Sequence, residues 1–208
     1  MLFNILEKGG PMMYLILGCS IFAITVFFER LAHYHRSQID TDKFLSGLRN
    51  ILKKRNMVEA VTICSETPGP VAAVLKSGIL KHGKNREIIK EAIEDSATHE
   101  IPRMEKNLVI LATIAHITPL LGLLGTVLGM IKAFMVIHQK AGLVNPADLA
   151  QGIWEALITT AFGLSIAIPT YMAYNYLVSR VSTFTSDMER ASSEIVNILD
   201  EQEDEYEI

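Results

Sequence analysis

The sequence predicts an all-α integral membrane protein with three transmembrane helices, the second and third long and extending into a helical cytoplasmic domain. Three observations predict it. Half of the 208 residues are hydrophobic, and the mean hydropathy is positive at +0.28. The apolar residues are gathered into three blocks separated by strongly charged segments, as in a chain solvated by lipid in places rather than one built around a large soluble core. The charged segments themselves carry apolar residues at three- and four-residue spacing, which is the period of a helix.

Taken in order, residues 1–10 are an N-terminal segment, with Phe3, Ile5 and Leu6 on the apolar side of a short interfacial helix and Gly9-Gly10-Pro11 as its break. Residues 11–29 are the first transmembrane helix, charge-free from Met12 to Phe28. No basic region precedes it and no small-residue cleavage site follows, so it reads as a retained helix and not a signal peptide. Residues 30–106 are a helical domain. Asp40-Thr41-Asp42 offers caps ahead of Phe44, Leu45, Leu48, Ile51 and Leu52, and Asn56 caps a short helix with Val58, Val61 and Ile63 inside. Thr67-Pro68-Gly69-Pro70 is the clearest break. From Asn85 a long amphipathic segment carries Ile88, Ile89, Ala92 and Ile93 on one side, with Pro102 as the expected kink.

Residues 107–135 are the second transmembrane helix, with His116 as the only titratable group between Leu108 and Ile131. Residues 136–148 form a short loop that ends in Asn145-Pro146-Ala147-Asp148, a well-marked helix start. Residues 149–178 are the third transmembrane helix, and 179–208 a C-terminal helix and acidic tail. Lys and Arg set the orientation. Fourteen of the 19 basic residues lie between Arg30 and Lys106, against Lys132 and Lys140 between the second and third blocks. The N-terminus and the short loop are therefore expected outside, the large loop and C-terminus inside, in a bacterial inner membrane.

From Leu149 to Ser179 the only acid or base is Glu155. A carboxylate at the bilayer centre costs about 2.5–3.5 kcal/mol on insertion scales, so it implies a pairing partner or a path for a proton or ion. A position at the outer interface stays open, because Arg180 follows 25 residues later, roughly 37 Å along a helix, and Trp154 and Tyr171, Tyr174 and Tyr176 suit two aromatic belts. Two stripes of small and polar residues run along the same helices. Gly122, Gly125, Thr126, Gly129 and Ala133 share one face of the second, and Gly152, Glu155, Ala156, Thr159, Gly163 and Ala167 one face of the third, with Thr160 at the edge. Such stripes let two backbones approach closely. Ordinary helix packing and pore lining are both open for the glycines and Thr159. His116 lies off the stripe and is expected to face another helix. His33 and His35, two apart, do not share a helical face and make no metal site, and Cys19 and Cys64 make no disulfide or metal framework. No phosphate-cradling glycine loop or nucleophile arrangement is present, so neither an enzyme, a cofactor nor a nucleic-acid partner is expected.

The run from Thr118 through Pro119, Gly122, Gly125, Thr126 and Gly129 to Met130 resembles the signature of the MotA/TolQ/ExbB proton-channel family. So does Gly152-Ile153-Trp154-Glu155-Ala156-Leu157-Ile158-Thr159-Thr160-Ala161-Phe162-Gly163-Leu164, followed by Ala167-Ile168-Pro169 and Tyr174-Asn175. The similarity is closest to ExbB and TolQ. It implies a ring, a homopentamer around the single membrane helices of an ExbD/TolR-like dimer. Proton passage would be supported by Glu155, Thr126 and Thr160, with Pro119 and Pro169 shaping the helices. The work would pass to a TonB- or TolA-like protein, with membrane lipid as a further partner. The alternatives are a structural membrane scaffold or a gliding- or flagellar-type stator subunit.

Overall fold

In the computed structural model, which describes residues 9–140 and 145–204, every regular element is a helix. Among the described residues these are α1 (Gly10–Ser37), α2 (Thr41–Lys53), α3 (Met57–Glu66), α4 (Pro70–Ile79), α5 (Arg86–Glu105), α6 (Leu108–Gln139) and α7 (Pro146–Asp204). The expected interfacial helix before Gly9, part of the short loop and residues 205–208 lie outside the described residues. α7 runs on to Asp204, into the acidic stretch read as a tail.

Local chemistry starts the helices. Asp40 accepts from the Lys43 amide at 3.1 Å, Asn56 from Glu59 at 3.2 Å and Asn85 from Ile88 at 3.0 Å. Each satisfies a first-turn N–H that has no carbonyl four residues back. Asn56 also donates to the Glu59 carboxylate at 2.6 Å, so that cap works in both directions. α4 starts differently. Gly69 holds φ at 117°, where a side chain would strike the Ser37 carbonyl, and Pro70 takes the first helical position.

The chain divides into two compact units, one of residues up to Glu29 with Asn107–Tyr176, the other of Arg30–Lys106 with the chain from Leu177 on. In the first, α1 buries Met13, Ile16 and Ala23, while α6 and α7 bury small residues against each other. Its outer surface is the reverse of a soluble protein's. Tyr14, Phe22, Leu120, Leu123, Phe134, Leu157 and Met172 are each more than half exposed. Water would not tolerate so continuous an apolar surface, and lipid or a second subunit would. The stretches containing α1, α6 and α7 are the three that are long and apolar enough to cross a membrane.

The second unit has an ordinary packed core. Leu45, Leu48 and Leu52 of α2 meet Val71, Val74, Leu75 and Ile79 of α4, Ile89 and Ile93 of α5, and Met188, Ala191, Ile195 and Leu199 of α7. α3 keeps its expected face only in part, with Val61 packed against this core. Val58 is 79% exposed, and Ala60 and Cys64, four residues apart, point inward instead. Val58, Val61 and Ile63 do not share a side of a 3.6-residue helix, so the regular pair wins. The break before the second span falls beyond Pro102, the expected kink. α5 passes through that proline, and the chain turns at Lys106–Asn107, where Asn107 is left-handed at φ 69°. Asparagine tolerates this conformation better than most residues. The Tyr34 hydroxyl donates to the Met104 carbonyl at 2.7 Å, supplying one of the partners that the last turn of α5 lacks.

Candidate functional site

The first unit is organised by the seam between α6 and α7. The two helices run antiparallel, with Gly122 beside Thr160 and Gly163, Gly125 beside Thr159, and Gly129 beside Gly152 and Ala156. A Cβ on Gly129 would stand 2.6 Å from the Gly152 carbonyl oxygen, and one on Gly163 would stand 2.8 Å from the Thr118 carbonyl oxygen. The backbones touch, which only glycine permits. Gly122, Gly125, Gly129, Thr159 and Gly163 are therefore all buried inside the chain's own helix pair. Pro119 and Pro169 lie within α6 and α7, and neither helix breaks there. The adjoining hydroxyls return hydrogen bonds to the preceding turn, Thr118 to Ile114 at 2.5 Å and Thr170 to Ile166 at 2.7 Å.

Three threonines stand at one level of this seam and differ in what they bind. The Thr159 hydroxyl is wholly buried and donates to its own helix, with the Glu155 and Ala156 carbonyls both at 2.9 Å. Thr160 crosses the seam and donates to the Gly122 carbonyl at 3.0 Å. Thr126 is half-buried and donates to Leu123 at 2.6 Å. Each hydroxyl oxygen keeps acceptor capacity.

One turn along α7, Glu155 is 8% exposed and forms an ion pair with Lys132 of α6. Its carboxylate also fills the space beside Gly10, the first residue of α1, which holds φ at 68° and has no room for a side chain. α1 runs from Gly10 past Arg30, twenty residues on, or about 30 Å at 1.5 Å per residue, long enough to span a hydrocarbon core. Glu155 thus sits level with the start of the first apolar run, one turn of α7 before the threonine level. Lys132 supplies within the chain the countercharge that a buried carboxylate needs. Counting it only among the charges that set the orientation missed this role. The signal was present, because Lys132 lies only about 20° from Gly125 around a helix of 100° per residue.

His116 stays apart from these groups. It is exposed, its Nδ1 is 2.7 Å from the Ala112 carbonyl, and its ring meets Tyr171 edge-on at 6.3 Å. Among the described residues no three His, Cys, Asp or Glu side chains are grouped to hold a metal ion.

A profile of the MotA/TolQ/ExbB proton channel family matches residues 66–190. A putative biopolymer transport protein ExbB homolog of Methanothermobacter thermautotrophicus is 30% identical over 84% of this chain and 62% of its own length. The Tol-Pal system protein TolQ of Haemophilus influenzae is 40% identical over 53% of this chain and 48% of its own. The biopolymer transport protein ExbB of Neisseria meningitidis serogroup A is 26% identical over 96% of this chain and 97% of its own. The chain thus spans less than two thirds of the length of the archaeal relative and about half of that TolQ.

Proposed function

The chain belongs to the MotA/TolQ/ExbB proton channel family, and on that premise we propose that this multi-pass inner-membrane protein is the ring-forming subunit of a proton-driven motor of ExbB/TolQ type. Five copies surround an ExbD/TolR-like pair of single-span helices. Proton flow moves that pair, and the work passes to a TonB- or TolA-like protein. The N-terminus lies outside the membrane and the large helical loop inside. Each proton that crosses carries about 2.3 kcal/mol per 100 mV of membrane potential, so a few can drive a conformational step.

The observation that carries this reading is a buried carboxylate one turn from a level of threonine hydroxyls. Packing requires the glycines but not Glu155. In the resting state Lys132 pairs with Glu155 at the mouth of the path. Opening of that pair frees the carboxylate to exchange a proton. Thr160 and Thr126, one turn deeper, pass water or a proton onward to an acid on the partner helix.

The test measures proton flux into proteoliposomes holding the chain with its single-span partner. Glu155→Gln is expected to lower flux at least about tenfold, as removal of a proton-transferring group does, with the ring intact by native mass spectrometry. Unchanged flux would sink the proton-path assignment. A structural scaffold is the second reading, favoured by the glycine seam, which joins helices of one chain. It expects no partner-dependent flux in the wild type.

A further inference from the structure

His116 is the only titratable group between Leu108 and Ile131, and the groups around Glu155 leave it unused. It stands eight residues past Leu108, or about 12 Å into the apolar run, and its side chain is exposed on the α6–α7 pair. An ionisable group inside a span is costly facing lipid and turns to a water-filled cavity or another helix. The ring is held at one nitrogen. Its Nδ1 lies 2.7 Å from the Ala112 carbonyl oxygen. That oxygen can only accept, so Nδ1 carries the hydrogen and Nε2 is the acceptor. Tyr171 of α7 meets the ring edge-on at 6.3 Å and flanks it on that side. Along α6 the order is Lys132 with its partner Glu155, then Thr126, then Gly122 with the Thr160 hydroxyl on its carbonyl, then His116. His116 therefore lies beyond the threonines from Glu155, six residues past Gly122, or about 9 Å. At 100° per residue it stands about 80° from Thr126 and about 160° from Lys132, so it shares the threonine's side of α6.

Resting on the proton path described above, we propose that His116 is a further proton carrier on it, between the threonine level and the inside of the membrane. Nε2 takes, through water, the proton that the acid of the partner helix releases. The imidazolium that forms keeps its Nδ1–H on the Ala112 carbonyl and gives the Nε2 proton to water towards the start of α6. The ring returns to its first tautomer, and no other reactant is needed. Water is required because about 9 Å is three times the length of a hydrogen bond. Imidazole suits the step, as the side chain that gains and loses a proton most readily near neutral pH.

The test uses proteoliposomes that hold the chain with its single-span partner. His116→Phe keeps a flat ring against Tyr171 and adds no polar group to the span, but it carries no proton. Its flux is expected to fall at least about tenfold, with the assembly intact by native mass spectrometry. His116→Ala is expected to fall as far and to recover when imidazole is added. His116→Phe, whose ring fills the same space, is expected not to recover. Movement of imidazole through the bilayer is common to both variants and cancels in that comparison. Wild-type flux in His116→Phe, or an equal response of the two variants to imidazole, overturns the proposal. Flux that Glu155→Gln lowers and His116→Phe leaves unchanged overturns this inference alone and leaves the proton path standing.

Discussion

At the residue scale, Glu155 and Lys132 form one unit, and each changes what the other can do. The pair costs desolvation, and removing either member leaves the other charge uncompensated. Under the proposed mechanism Lys132→Gln should therefore lower flux in the proteoliposome assay, because it takes away the ion-pair partner of the buried carboxylate. Flux equal to the wild type would remove Lys132 from the mechanism. Cys64 offers a different kind of check. Burial pushes its thiol up to about 11, with the nearby Lys76 charge opposing only weakly. The thiolate is the reactive form, so a Cys19→Ser chain should resist alkylation at pH 8 while folded and react fully once denatured. The sign of the linkage follows. A folded-state value above the ordinary one contributes stability that is fully present below about pH 9 and is lost as pH rises towards 11. Rapid alkylation of the folded chain at pH 8 would contradict that burial.

At the element scale, the α6–α7 seam is the part least tolerant of change. Gly129→Val would drive a side chain into the Gly152 backbone and the Ala156 side chain. Overpacking of this kind costs roughly 1–3 kcal/mol, visible as a lowered unfolding temperature by circular dichroism in detergent. Gly47 of α2 is the contrasting case, since nothing lies within 4 Å of a Cβ placed there. Gly47→Ala should stabilise by roughly 0.5–1 kcal/mol, because alanine loses less backbone freedom in a helix. Gly129 belongs to the small-residue stripe and Gly47 does not, and the neighbouring backbone separates them in the same way. Equal effects of the two substitutions would mean that the seam is not in contact.

At the scale of the whole molecule, the exposed apolar faces of α1, α6 and α7 must be covered by lipid, by copies of the chain or by partner helices. The proposed motor expects native mass spectrometry of the coexpressed complex to give five copies around two single-span partners. A closed assembly of any other number, or one that excludes the partner, would favour the scaffold.

Much of this was written locally. Asp40, Asn56 and Asn85 cap the helices they precede because a side-chain oxygen reaches an amide three residues on, an event within one turn. The three spans follow from apolar run length, and the two stripes from helical period. Family membership rests on motifs contained in α6 and α7. The inward face of α3 was legible less well, since Ala60 and Cys64 are poor markers of a core beside Val58. What tertiary structure alone decided is which residue stands against which across long separations. It set Lys132 on Glu155, 23 positions apart, put Gly10 beside the same carboxylate, and set Tyr171 against His116. Periodicity gives the side of a helix a residue occupies, but the height of one helix against another is set by the packing of whole surfaces. That height places Glu155 beside Gly10 at the start of the first apolar run, with the threonines one turn further along α7.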